Sequence, residues 1–437
     1  MKEISILDFG AVADGGTMNT AAIQKAIDTL AEEGGGTLCF PEGVFLSGTL
    51  FLRGHITYRI EKNCILKASS DLSDYVWNGF YHNEMKNVLA FLSARDQEDI
   101  RLTGEGVIDL SADGFMQEGC YSGYGEGVTR EQLSDEQLAE CTIAQRPRPN
   151  QPIFFESCRH VRVDTLTVRN SPCWTLTFSR CNDVRIDHIA VRNSTVVPNC
   201  DGVHLSACRD VFVEDSSFVC GDDCVAVTCI TAEGKEDISE RIQISRCLMV
   251  SRSAGVRLGH YKGKIRDVLV SDLIITDSNR GLAIFSNTEG YVENIRISNL
   301  ILETRIFAGQ WWGKGEAIVI CAARGQGRIE NVSITGVQAR SQGGVLIAGC
   351  DRNIRHIKIR DMDIRLERGK NYALYGGDLD LQPNDYRKGN GELPCIYAQD
   401  AADLCIEDFT YCGCAGAAPQ IDDVKDLQMV RVRRRKD

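Results

Sequence analysis

One short pattern recurs along most of this 437-residue chain and leaves few folds open to it. A polar residue is followed by apolar-x-apolar and then by another polar residue. The pattern reads DIRLTG from Asp99, HVRVDT from His160, DVRIDH from Asp183, DVFVED from Asp210, RIQISR from Arg241, DVLVSD from Asp267, NIRISN from Asn294, NVSITG from Asn331 and HIKIRD from His356. Counted from Val161, its first apolar residue recurs after 23, 27, 31, 26, 27, 37 and 25 residues. Further short runs fill the intervals, among them WTLTF, DGVHLSA, CVAVT, AGVRLG, GLAIFS and GEAIVI. Such alternation marks strands with one buried face. Two or three strands per step, split by Gly, Asn, Asp and Ser turns, exclude a helical repeat, and the leucine spacing does not fit a leucine-rich one. A propeller blade needs roughly 40 residues or more. What remains is an all-β solenoid of parallel strands, a β-helix whose coils stack about 4.8 Å apart with alternate apolar residues inward.

The ends and interruptions differ from the repeat. Ala21, Ile23, Ile27 and Leu30 have helical spacing, and Gly34–Gly36 ends the run. A helix over about 17–33 therefore caps the solenoid, whose first coil otherwise exposes strand edges. Residues 111–152 hold no clear repeat and contain an acidic, helix-prone piece, TREQLSDEQLAE. They form one long insertion, and a second loop covers about 371–394. Everything else, residues 1–437, reads as a single β-helix domain.

Composition narrows the partners. The net charge of −12 argues against nucleic acid or an anionic membrane, both of which attract basic surfaces. The basic tail RVRRRKD reads as a solvated end. No apolar run approaches the roughly 18 residues that span a bilayer, and MKEISILDFG lacks the apolar core of a secretion signal. With 19 cysteines, the expectation is a cytoplasmic, reduced protein with buried free thiols. Their spacing lacks the paired CxxC of zinc modules, so no metal site is expected. Oligomeric state is not legible.

The chemistry concentrates in two acidic clusters on consecutive repeats, PNCDGVHL with Asn199 and Asp201, and CGDDCVAV with Asp222 and Asp223. Asp201 and Asp222 are 21 residues apart, close to one coil. Three carboxylates then crowd one patch of wall, where mutual repulsion separates acid from base roles. Asp-Gly and Gly-Asp are also ordinary turn dipeptides, and clustered acids also suit calcium.

The opening FGAVADGGTMNTAAIQKAIDTLAEEGGGTLCFPEGVFLSGTL, followed by NCDG and GDD, resembles glycoside hydrolase family 28, the polygalacturonase-like enzymes. The resemblance implies a right-handed, pectin-lyase-like parallel β-helix and an inverting glycosidase that needs no cofactor. It implies Asp222 as general acid, with Asp201 and Asp223 activating water across the gap an inverting pair requires. Two features depart from the family. Ser253, in SRSAGVRLGHY, stands where many members carry the histidine of Gly-His-Gly; His260 follows seven residues later and either replaces it from another direction or is a surface histidine. Ala283 and Phe285, in NRGLAIFS, replace an Arg-x-Lys pair that holds the substrate carboxylate. Arg257 and Arg280 are candidates for contacting substrate, as are Asn199 and Glu316. Trp311 and Trp312 suggest a platform for a sugar face, while His204 faces either the site or the core.

The expected substrate is thus a short oligosaccharide or glycoside, cleaved from its end and not held as in a typical polygalacturonase. Elimination by a β-helix lyase that uses Arg257 or Arg280, intramolecular glycosyl transfer, and carbohydrate binding without catalysis are the alternatives.

Overall fold

The computed structural model describes residues 2–77, 88–125, 127–229, 237–260, 262–286, 289–383, 387–389, 391–414 and 417–436. The chain winds into a right-handed parallel β-helix. One coil shows the plan. Arg159–Asp164 lies in a first sheet, Thr167–Arg169 in a second and Leu176–Ser179 in a third. Each strand pairs in parallel with its counterpart one coil on.

The recurring apolar residue is the spine of this stack. Val161, Val184, Val211, Ile242, Val268, Ile295, Val332, Ile357 and Leu404 follow one another in register. All are at most 1% exposed. Burying each such side chain is worth about 1.5–3 kcal/mol, and branched residues suit the pleated wall. The polar residue that opens each repeat has its own backbone reason. Asp99, His160, Asp183, Asp210, Arg241, Asp267, Asn294, Asn331 and His356 all have φ between 53° and 57°. This left-handed conformation turns the corner, and β-branched residues tolerate it poorly. The corner side chains then pair along the axis, as His160 does with Asp183 at 2.8 Å and Asn294 with Asp267 at 3.1 Å.

The cap is the helix Thr20–Glu32, which buries Ile23, Ala26, Ile27 and Leu30. Ala26 takes the place expected of Ala21, which is exposed. The first interruption falls between strands Val107–Asp109 and Ile153–Glu156. It contains an antiparallel pair, Met116–Ser122 with Thr142–Gln145, and a one-turn helix, Asp135–Leu138, capped by Ser134. The second falls between Ile354–Leu366 and Ile396–Gly413, with the short helix Tyr372–Tyr375. Residues 384–386 and 390 of that loop lie outside the described ones. Its Leu379, Leu381 and Leu393 cover Ala283, Phe285, Val319 and Leu346 on the outer face of the third sheet.

Most of the cysteines are buried as free thiols; Cys181 and Cys208, one coil apart, donate to the carbonyls of Phe155 and Phe178. Among the described residues, no helix is long and apolar enough to cross a membrane.

Candidate active site

The two acidic clusters sit in the turns that lead into the third sheet. Strand register pairs Leu176 with Val203, Val203 with Val225 and Val225 with Val256. Two residues upstream of each, Trp174, Asp201, Asp223 and Ala254 therefore form one column. The acid stacked on Asp201 is Asp223, not Asp222 as the spacing suggested, because this coil is 22 residues long. Asp222 stands one position earlier, level with Ser253 on the next coil. The glycines beside the acids are fixed by close packing. A side chain on Gly221 would meet the Val197 carbonyl at 2.1 Å, and one on Gly202 the Cys224 carbonyl at 2.5 Å.

The three acids have different surroundings. Asp223 is fully committed: Oδ2 is ion-paired with the Arg257 guanidinium, and Oδ1 accepts the Ala254 N–H at 3.1 Å. Arg257 also donates to the Gly259 carbonyl at 2.8 Å. Asp201, only 1% exposed, holds Oδ2 at 3.0 Å from Nδ1 of His204, while its Oδ1 has no hydrogen-bond partner among the described residues. Nε2 of His204 lies 3.0 Å from the Thr228 hydroxyl, and its ring stacks on Trp174 with centroids 3.8 Å apart. Asp222 is partly open to solvent. Its Oδ1 accepts the Asp223 N–H at 3.0 Å, and Ser251 donates to its carbonyl at 2.7 Å.

Burial, then the charge of Asp223, pushes the Asp201 carboxyl well above the ordinary range. Burial pushes Asp222 up too, reinforced by Asp201 and Asp223 and opposed by Arg257. His204 is held well below the usual histidine range by burial and then by Arg257. A cluster that already contains a buried guanidinium does not suit a hard cation. Among the described residues, no group of three or more His, Cys, Asp and Glu is arranged to hold a metal ion.

The other candidates divide. Asn199 is exposed at a left-handed corner, with φ 56°, and accepts from Arg148 at 3.3 Å. His260 is 8% exposed, so it is not a surface histidine. Burial, then Arg257 and His204, push it down to about 3. It lies past the far end of strand Ala254–Gly259, away from Ser253, with its ring centroid 6.0 Å from that of Trp312. Trp312 is 39% exposed, whereas Trp311 is packed inside its loop and donates from Nε1 to the Glu140 carbonyl at 2.9 Å.

Arg257, Arg280 and Glu316, expected to touch substrate, are committed inside the protein. Arg280 is 1% exposed, donates to the carbonyls of Asp380 and Gln382 at 2.8 Å each and faces Glu316 at 3.5 Å. Ala283 and Phe285 belong to the apolar cluster under the second loop. Sequence reasoning passed over Trp174, Thr228, Arg148 and Asp380. A signal existed for Trp174, which stands one repeat before Asp201, but none for Asp380, whose tie to Arg280 spans 100 residues.

The model of the Glycosyl hydrolases family 28 matches residues 37–374. The chain belongs to this family. A second family model, for rhamnogalacturonase A/epimerase, pectate lyase-like, matches residues 3–53. Among solved structures, a hyperthermoactive exopolygalacturonase from Thermotoga maritima is 25% identical, with a TM-score of 0.68 over 84% of this chain and 87% of that one. A Yersinia enterocolitica family 28 exopolygalacturonase shares the fold with a TM-score of 0.66 at 17% identity, over 100% of this chain and 78% of that one. A probable polygalacturonase of Vitis vinifera is 28% identical over 71% of this chain, and an exo-poly-alpha-D-galacturonosidase of Dickeya chrysanthemi is 25% identical over 64%. The matches cover 62% and 51% of those two relatives, so the chain spans less than two thirds of their length.

Proposed function

We propose that this family 28 chain is an inverting glycosidase that removes end residues from short pectin-derived oligosaccharides. Asp222 gives its proton to the glycosidic oxygen as the carbon–oxygen bond breaks. Water attacks the anomeric carbon from the opposite face and loses a proton to Asp201. Asp223, with both oxygens engaged, holds Arg257 and supplies fixed charge beside the site. The observation that carries the reading is the unequal environment of the three acids. Asp222 is partly open to solvent, Asp223 has both oxygens engaged, and Asp201 is buried with Oδ2 at His204 and Oδ1 without a partner among the described residues, so the three are placed for different roles.

Two further features support it. The first insertion, the Ile306–Trp312 turn and the second loop share an apolar cluster of Leu133, Cys141, Ile306, Ala308 and Tyr375. Such a wall, set beside a covered stretch of the third sheet, suits action at a chain end. Arg257 and Arg280 are both held in buried ion pairs, which leaves neither as the base that elimination needs. The named activities of the Thermotoga and Dickeya relatives point the same way. With Ala283 and Phe285 under the second loop, the cleaved unit is not gripped at the family's Arg-x-Lys position.

The test is a time course with trigalacturonate and with pectin fragments bearing neutral end sugars. Single end units should be released, and from an α-linkage the first-formed product should be the β anomer by proton NMR. Asp222→Asn should lower kcat by about 10²–10⁴. Internal cleavage, an unsaturated product, or full activity in both Asp222→Asn and Asp201→Asn would overturn the reading.

A further inference from the structure

We infer that His204 is the positioning residue that decides which acid carries the proton: it donates from Nδ1 to Asp201, keeps that carboxylate ionised and so leaves the proton on Asp222. The inference rests on the roles proposed above and adds the device that makes them unequal. Both oxygens of Asp223 are engaged, by Arg257 and by the Ala254 N–H. Asp201 and Asp222 are both pushed towards protonation, each partly by its acidic neighbours. Two such groups share their titration, and a modest local bias settles where the proton resides.

The geometry around His204 supplies that bias. The ring is fully buried beside Arg257, so the imidazolium form is disfavoured and one nitrogen carries a single hydrogen. Thr228 selects which. Its hydroxyl proton has two possible acceptors among the described residues, Nε2 of His204 at 3.0 Å and the Leu205 carbonyl at 3.4 Å. The shorter contact is favoured, so Nε2 accepts and Nδ1 bears the hydrogen. That hydrogen points to Oδ2 of Asp201 at 3.0 Å. Stacking on Trp174, with 18° between the planes, holds the ring at this angle. A donor to the charged form favours ionisation, and it falls on Oδ2, so Oδ1 is the oxygen without a partner among the described residues. The charged and titratable groups around the pair are Asp222, Asp223 and Cys220 from the next coil, Arg257 and His260 from the one beyond, Arg148 from the first insertion, and Cys173 and Cys200 from neighbouring turns. Only His204 donates a hydrogen bond to Asp201 from a side chain among the described residues.

The test uses the full chain and two readouts. In trigalacturonate hydrolysis, Thr228→Val should move the acid limb of the kcat profile upward by about one pH unit, with KM within about twofold, because Nε2 is freed to take the hydrogen. His204→Leu should move it the same way. His204→Asn, whose amide stands where Nδ1–H does, should return it towards the wild-type position. Imidazole ¹⁵N spectra, with the His204 signals assigned by their loss in His204→Asn, should show hydrogen on Nδ1 in the wild type. An unmoved limb, a downward shift in Thr228→Val, or hydrogen on Nε2 in the wild type would overturn the inference. If wild-type protein leaves trigalacturonate intact, the proposed function fails, and the spectra still decide the tautomer.

Discussion

Asp201 and Asp223 are stacked in register and almost fully buried, yet among the described residues only Asp223 has an arginine or lysine against it. Folded Asp201 therefore binds a proton more tightly than the unfolded chain does. As pH rises past the ordinary carboxylate range, the unfolded chain ionises first, so this group lowers stability with rising pH. Asp201→Asn cannot ionise and removes that penalty. It should abolish turnover and stabilise the fold by about 1 kcal/mol at neutral pH, a gain that shrinks as pH falls and the wild-type group becomes neutral. Denaturant titrations at several pH values measure this, and equal stability at every pH would contradict it. The acids were legible in the sequence because they recur one repeat apart. Their register was not: it depends on how many residues a corner consumes, which apolar periodicity does not report. Nor was the commitment of Arg280 and Glu316, because the Asp380 that joins them comes from a distant loop.

At the scale of elements, the two loops share an apolar cluster and several polar contacts, of which those of one carboxylate reach the most partners. Glu140, in the first insertion, accepts from Arg305 at 2.9 Å, from the Ala308 N–H at 3.0 Å and from Asn371 of the second loop at 2.6 Å. Its backbone carbonyl holds Trp311. Glu140→Ala leaves the buried Ala308 N–H and one of the two Asn371 amide hydrogens unsatisfied, the other still donating to the Ile306 carbonyl, and each lost partner costs about 1–3 kcal/mol. The expected result is faster proteolysis within 111–152 and 371–394, with a larger rise in KM than fall in kcat. If the loops resist protease as before, Glu140 does not tie them. Both loops could be read from the sequence as gaps in the repeat. Their meeting could not, since it joins side chains more than 150 residues apart. The same limit applies to Trp311 and Trp312, which look alike in sequence but which the turn divides into a packed ring and an exposed one.

For the whole molecule, the repeat settled the architecture, because polar corner residues and alternating apolar ones leave a coil no other way to bury its surface. A solenoid of this kind couples each coil mainly to its neighbours. The candidate site occupies the coils with strands Leu176–Ser179 to Ala254–Gly259, and four coils, those of Val268, Ile295, Val332 and Ile357, separate it from the coil of Leu404. Leu205 and Leu404 are both fully buried. Leu→Ala at either should cost about 2–5 kcal/mol. The consequences should differ with position. Leu205 lies between His204 and Ser206 and packs in register between Phe178 and Val227, so its loss should loosen the Asp201–His204 pair and lower kcat. Leu404 stacks between Ile357 and Leu427 in the final coils. Leu404→Ala should let that end melt early while kcat at ambient temperature stays at the wild-type value. Equal losses of kcat in the two variants would mean that the coils respond as one unit, and that the geometry of the acids depends on the full length of the stack.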